Sequence, residues 1–299
     1  MFAPLRRSLT AAVLFAGLIL APAAQARMLV IGTISDEPIK ETRTFLPFAR
    51  HLAGQLSGEG FTGGDVRIAR DISHMARLLQ TGKVDIYIDS PLVALAVGQQ
   101  SGSRLIARRW KKGIAEYHSV IFARKDSGIG SLDDLAGKVL AFEEGFSSSG
   151  YLLPRLSLAE NGVSLTELDS PRAARPASET GYVFSGDDEN TIVWVLHGLV
   201  DAGAMSLNGL KKRAGSDFES LTLIAQTGAV PRHVVSVAPQ TPAALETAVQ
   251  NALLQMDQNS EGAAVLKSFE RTTKFDRIPP HTQKMLEQFQ APVTALIGG

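Results

Sequence analysis

The chain has 299 residues, 30 basic against 30 acidic side chains, 44% hydrophobic content and no cysteine. A net charge near zero excludes a broad electrostatic grip on nucleic acid or anionic membrane. Without cysteine there is no thiol catalysis, no disulfide and no cysteine-linked lipid anchor, so stability must come from packed cores.

The opening "MFAPLRRSLTAAVLFAGLILAPAAQA" places Arg6 and Arg7 before an apolar run from Ala11 to Leu20 and ends on Ala24-Gln25-Ala26. This is the layout of a cleavable signal peptide over residues 1–26. Its apolar run is too short to span a bilayer, and no later segment is long and apolar enough, so no membrane insertion is expected.

Beyond it, short apolar runs alternate with amphipathic helices, the pattern of an α/β protein with mainly parallel sheets. "MLVIGTI" predicts a strand, after which Phe45, Phe48, Ala49, Leu52 and Leu56 recur at helical spacing. The glycine-rich Gly58–Gly64 lacks the spacing of a phosphate loop and predicts a surface turn. "HSVIFAR" and "KVLAFEE" predict strands around "SLDDLAG", where Ser131 can cap a short helix and Gly137 can end it. In "TPAALETAVQNALLQM", Thr241 is the expected cap, Pro242 lies in the first turn, and Leu245, Val249, Leu253 and Met256 form the apolar face. Trp110 and Trp194 are expected in the core.

Two segments share one plan. "LLQTGKVDIYIDSPLVAL" and "WVLHGLVDAGAMSLNGL" each run helix, glycine, valine-aspartate, strand and then a serine where the next helix begins. Gly82, Val84, Asp85 and Ser90 match Gly198, Val200, Asp201 and Ser206 in spacing. Two similar α/β halves follow, each presenting a serine at the C-terminal sheet edge where open α/β sheets bind ligands.

"EEGFSSSGYLLP", residues 143 to 154, is open to three readings. A nucleophile elbow needs G-x-S-x-G, but the string from Gly145 lacks the second glycine. Hydroxyls and free N–H groups at a helix N-terminus can surround an oxyanion, with Gly145 and Gly150 permitting close approach and Pro154 near the helix start. Equally, one serine caps the helix and the others are solvated.

The stretch "AEYHSVIFARKDSGIGSLDDLAGKVLAFEEGFSSSGYLLP", with "IGTISDEP", "FLPFARHL", "GKVDI" and "GLVDAGAMS" in the same order, resembles the phosphate/phosphite/phosphonate-binding proteins of ABC transporters. The resemblance implies an α/β, two-lobed type 2 periplasmic binding fold with the ligand cleft between lobes. Lobe 1 would comprise residues 27–119 and 229–299, and lobe 2 residues 120–228, hinged near Val120 and Val230. It further implies a periplasmic, monomeric solute-binding protein without enzymatic activity, cofactor or metal, whose partners are a small-molecule ligand and an inner-membrane ABC permease. A ligand sensor signalling to a histidine kinase uses the same fold.

Carried over by residue, the resemblance makes Ser147, Ser148, Ser149 and Gly150 an oxyanion cradle, with Tyr117 donating its phenol at the lobe crossing. Ser90 and Ser206 stand at the two sheet edges. His118, next to Tyr117 on the strand, should face away from the cleft. The chain departs from the family at Asp89, where a neutral group is usual, and at Asp188, where a histidine is usual, with Glu189 matching the acid that follows. Carboxylates beside an oxyanion are costly unless protonated or paired with a cation. They suit a ligand bearing an amine, a pocket turned to another polar solute, or merely the acidic first turn of a helix that Ser185 can cap.

Overall fold

A computed structural model describes residues 27–175 and 177–297; the expected leader lies outside the described residues. The strands are β1 (Arg27–Ile34), β2 (Phe61–Ala69), β3 (Ile86–Asp89), β4 (Arg104–Arg109), β5 (Glu116–Tyr117), β6 (Ser119–Arg124), β7 (Val139–Phe142), β8 (Leu165–Glu167), β9 (Thr180–Phe184), β10 (Ala202–Ser206), β11 (Leu221–Gln226), β12 (Val230–Pro231), β13 (His233–Val237) and β14 (Phe275–Asp276). The α-helices are α1 (Pro38–Gln55), α2 (Ile72–Gln80), α3 (Pro91–Ser101), α4 (Leu153–Glu160), α5 (Asp188–Leu196), α6 (Leu207–Ala214), α7 (Ala243–Gln255), α8 (Ser260–Ser268) and α9 (Pro280–Ile297).

The strands form two six-stranded sheets, ordered β14-β4-β13-β3-β1-β2 and β11-β6-β10-β7-β9-β8, and a two-stranded ribbon of β5 and β12. In each sheet the β-α-β units run parallel, and the strand that enters from the ribbon runs antiparallel beside them: β13 against β3, and β6 against β10. The chain therefore passes between sheets twice, side by side, with Val230 opposite Tyr117 and Pro231 opposite Glu116. Val120 lies three residues further on, inside the second sheet.

The shared plan in the sequence is a shared piece of structure. Gly82 and Gly198 both take left-handed backbone (φ 66° and 67°) and end their helices. The Asp85 N–H then donates to the Val30 carbonyl (2.9 Å) while its carboxylate accepts from Val30 N–H (2.8 Å). Asp201 repeats this on Val139, donating to its carbonyl and accepting from its N–H, both at 2.8 Å. Each aspartate fastens its strand to the parallel neighbour, and each has an arginine, Arg27 or Arg175, on its carboxylate. The strands so placed end at Ser90 and Ser206, which begin α3 and α6.

Several local expectations shift by a few residues. Thr241 does not cap α7, whose N-cap is Pro242, and α5 is capped by Asp187, which accepts from Asn190 N–H, while Ser185 is buried and bonded to Phe142 O. Only Gly58–Gly60 of the glycine-rich stretch is turn; Phe61–Gly64 is strand, because a strand glycine lets a helix approach closely. A Cβ at Gly64 would lie 2.2 Å from the Ala49 backbone of α1. Ser131 donates to Asp134 beside a short 3₁₀ turn rather than capping a helix. Trp110 and Trp194 are half-buried, not core.

One apolar cluster, Phe45, Phe48, Phe269 and Phe275 among it, covers the outer face of the first sheet, and a second, with Phe122, Val183 and Leu210, that of the other. A third runs continuously from Tyr87 and Val93 through Tyr117 to Phe142 and Leu152, so both sheets share it. Gly64→Ala is expected to destabilise by about 1–3 kcal/mol through overpacking, while Gly58→Ala, with nothing within 4 Å of the added carbon, leaves stability nearly unchanged. Thermal melts of the two variants check this.

Candidate functional site

The strand ends of both sheets face a cleft of about 450 Å³. Its walls include Thr33 and Ile34 at the end of β1, Asp89 and Ser90 at the end of β3, Glu143 and Glu144 just after β7, and Ser206 at the end of β10. This is the edge at which α/β sheets bind ligands, here with one edge opposing another.

Tyr117, from the ribbon, lies at the floor with its ring buried and its hydroxyl without a hydrogen-bond partner among the described residues. Burial pushes its phenol well above the ordinary range, so it is a neutral O–H donor. The Arg232 guanidinium sits 5.1 Å from the ring centroid, and it enters no ion pair among the described residues. His118 faces elsewhere, its Nδ1 2.9 Å from Thr227 O, as strand alternation requires.

The three serines have three different situations. Ser147 donates to Glu143 Oε2 (2.5 Å) and accepts from Gly150 N–H (2.9 Å). Ser148 is buried, and its Oγ accepts from Leu92 N–H (3.1 Å) and Val93 N–H (3.3 Å) at the N-terminus of α3, which belongs to the other sheet. Ser149 lines the cleft with a hydroxyl that makes no hydrogen bond among the described residues, while its carbonyl accepts from Ser119 Oγ. The segment opens as a π-turn over Ser148–Leu152 before α4, which lets consecutive serines face different ways. Gly150 is outside the cleft lining; a Cβ there would meet Glu143 Cβ at 2.5 Å, so it is the packing of this turn on β7 that requires glycine.

Asp89 is half-buried in the cleft wall. One oxygen accepts from Ile34 N–H, Thr33 and Tyr87, the other from Ser90 N–H and Oγ, at 2.7 to 3.3 Å. Burial pushes its carboxyl upward against these bonds. Its work is to tie the ends of β1 and β3 together. Asp188 lines the cleft and pairs with Arg213 at 3.1 Å, yet its Oδ1 is buried without a partner among the described residues. Burial raises its carboxyl while Arg213 opposes the rise. Glu189 is outside the cleft lining, bonded to Arg213 Nε at 2.6 Å. Ser206 lines the cleft while its hydroxyl caps α6, accepting from Gly209 N–H.

Sequence reasoning missed most of the charge. Lys111, Lys112, Lys212, Arg213, Arg232 and Glu270 all line the same cleft. Glu270 bonds Lys111 (2.8 Å) and Arg109 (3.1 Å); burial pushes its carboxyl up, but these two cations hold it down at about 2. Burial lowers Lys111 to about 8. The buried His233, beside Lys111, Arg109 and Arg232, is driven down by burial first and these charges second, so it is neutral. Glu143 is raised to about 7 by burial and by Asp188, and Glu144 to about 7 by burial and by Asp36. The doubled lysine of "WKKG" was the available signal for Lys111 and Lys112. No histidine is bonded to Ser147, Ser148 or Ser149 among the described residues, and no acid-histidine grouping suited to a metal occurs among them.

A family model described as ABC transporter, phosphonate, periplasmic substrate-binding protein matches residues 31–282. The chain belongs to this family. XAC2383 from Xanthomonas citri, solved with chloride and with ATP, is 29% and 28% identical in the two structures, with TM-scores of 0.85 and 0.84. The alignments cover 91% of this chain and 99% and 98% of that one. PhnD1 from Prochlorococcus marinus, in complex with methylphosphonate, shares the two-lobed fold at 19% identity and a TM-score of 0.66 over 90% of this chain and 99% of its own. Among curated relatives, the phosphate-import protein PhnD of Mycolicibacterium smegmatis is 29% identical over 151 residues, 48% of this chain and 45% of that protein. The tetrathionate sensor histidine kinase TtrS of Salmonella typhimurium is 28% identical over 172 residues, 56% of this chain and 26% of the kinase. The chain thus spans less than half the length of the curated relatives it matches. No helix among the described residues is long and apolar enough to cross a membrane.

Glu143 and Glu144 carry a pH dependence. The native state keeps their protons to about pH 7, whereas the unfolded chain loses them near 4.5. The stability they contribute is complete below 4.5 and is lost as pH rises through 7. The melting temperature of the ligand-free protein is expected to fall from pH 5 to pH 8, and the slope to shrink in a Glu143→Gln, Glu144→Gln variant.

Proposed function

We propose that the protein captures a small phosphorus oxyanion between its lobes and presents it to an ABC permease, without covalent chemistry. The observation that carries this reading is the conjunction of unspent donors at the cleft floor: the buried Tyr117 hydroxyl, the Ser149 hydroxyl and the unpaired Arg232 guanidinium. A buried donor without an acceptor costs about 1–3 kcal/mol, a cost an oxyanion would remove at Tyr117 while also bonding the half-exposed Ser149 and Arg232. Ser148 supports the same state differently, by joining the second lobe to the α3 N-terminus of the first. Asp188 Oδ1 supplies an acceptor for an ammonium or hydroxyl on the ligand, which keeps an aminophosphonate within the class. The lobes, residues 27–119 with 229–299 and residues 120–228, would close about the β5–β12 ribbon, with export to the periplasm directed by residues 1–26 and the protein acting as a monomer.

Sensing is the second reading, since about a quarter of the length of TtrS is similar to this chain and the same fold can serve either role. A permease or a kinase would read the same closed surface, so co-purification from membranes with one or the other separates the two roles.

The test of the ligand class is a melting-temperature screen of ligand-stripped protein against phosphate, phosphite, methylphosphonate, 2-aminoethylphosphonate, sulfonates and amino acids. A ligand at a hundred times its Kd stabilises by about 2.7 kcal/mol. Phosphorus compounds are expected to raise the midpoint, and Arg232→Met or Ser149→Ala to cut affinity by tenfold or more. Stabilisation by amino acids or sulfonates alone would overturn the reading.

A further inference from the structure

The cleft is larger than the oxyanion head requires. At about 30 Å³ for each water-sized unit, its 450 Å³ holds far more than one phosphonate with a methyl group. The unused part has a definite chemistry. Of the six cations lining the cleft, Lys40 pairs with Glu37, Lys111 with Glu270, and Arg213 with Asp188 and Glu189. Arg232, Lys112 and Lys212 have no acidic partner among the described residues. Arg232 lies at the floor on Tyr117, whereas Lys112 and Lys212 are exposed, at the outer edge.

These two lysines come from opposite lobes. Lys112 stands at the tip of a tight hairpin after β4, where Lys111 bridges Ile114 and the Lys112–Gly113 pair has φ of 57° and 74°. Both central residues of such a turn need positive φ, which glycine accepts and lysine resists. Lys212 lies on α6 of the second sheet, and its charge, like those of Arg232 and Arg213, is felt at Lys112. Of the acids, Glu270 also acts on Lys112, but it is already bonded to Lys111 and Arg109, so an anion between Lys112 and Lys212 offsets the repulsion that remains. Glu41, Glu143 and Glu144 also line the cleft; the last two hold protons to about pH 7 and so do not supply that anion at lower pH. Ile114 and Phe146, half-buried in the lining, give an apolar surface for an organic linker.

We infer that the cleft has a second anion subsite, made by Lys112 and Lys212, and that its ligand is an organic phosphonate or phosphate bearing a second anionic group. This rests on the oxyanion reading of the floor and narrows it. XAC2383, 28% identical in that structure, is bound to ATP, an organic phosphate carrying more than one anionic group.

The experiment is calorimetric titration of the ligand-stripped protein with methylphosphonate, 3-phosphonopropionate and ATP, in the natural chain, in Lys112→Ala with Lys212→Ala, and in Lys211→Ala as an exposed-lysine control. The natural chain and the control are expected to bind at least one two-headed probe tenfold or more tighter than methylphosphonate. The double variant should lose that preference while its methylphosphonate affinity stays within twofold and its melting temperature is unchanged. Equal affinity for one-headed and two-headed probes in the natural chain overturns the inference and leaves the oxyanion floor standing. An equal drop for all probes in the double variant overturns it too, since the lysines then act as a general field. If no probe binds, the floor reading falls and the second subsite with it.

Discussion

Charge matching around the buried Arg109 is the constraint on which the rest depends. Arg109 is fully buried and must be met from within, by Glu270, by Thr272 Oγ1 at 2.9 Å and by Phe269 O at 3.0 Å. Its guanidinium also lies 3.6 Å from the Phe269 ring centroid. Glu270 is shared with Lys111, and to reach both cations the chain adopts positive φ at Glu270 and Arg271. That strained corner after α8 is explained by the ion network, since an uncompensated buried guanidinium would cost more than left-handed backbone. Arg109 Nη1 stays unpaired among the described residues, while Lys112, Lys212 and Arg232 line the cleft without an acidic partner.

The scaffold that delivers these groups is one local device used twice. An aspartate that both donates to and accepts from its neighbouring strand leaves no freedom of register at the start of β3 or β10. Register fixed at one end of so short a strand is register fixed at the other, where Asp89, Ser90 and Ser206 meet the cleft. The lobes then share not only an apolar cluster through Tyr117 but also a polar contact: the N–H groups at the start of α3 are satisfied by Ser148 from the opposite lobe. Were the lobes to separate, water would satisfy them equally well. The contact therefore fixes the geometry of the closed state more than its population.

What was legible in the sequence was local. The glycine, valine-aspartate and serine spacing marked both halves because each of those residues acts on atoms a few positions away or on the adjacent strand. The hydroxyl-rich stretch was located for the same reason, but its division of labour was not, because a π-turn separates the directions of Ser147, Ser148 and Ser149. Asp89 read as a ligand carboxylate, while its oxygens are spent on Thr33, Ile34, Tyr87 and Ser90. "IYIDSP" contains only Tyr87 and Ser90 of these partners; Thr33 and Ile34 are brought in by the alignment of β1 with β3. Arg213 and Arg232 escaped notice because a cation gains its meaning from the partners it has or lacks, and those lie far off in sequence: Arg232 is 115 positions from the Tyr117 it stacks on.

The same logic bears on selectivity. A cleft whose polar groups are all paired internally would hold its ligand by shape alone, and shape discriminates weakly among small solutes. Here the pairing is deliberately incomplete at Tyr117, Ser149, Asp188 Oδ1 and Arg232, each buried or half-buried. A solute that leaves the buried Tyr117 hydroxyl or Asp188 Oδ1 unmatched forfeits about 1–3 kcal/mol, one to two powers of ten in affinity. Glu143 adds a further condition. Its carboxyl sits beside Asp188 and accepts from Ser147, so when an anion enters, the favoured response is to hold its proton. On the proposed reading, a neutral carboxyl could then donate to a bound anion in place of repelling it.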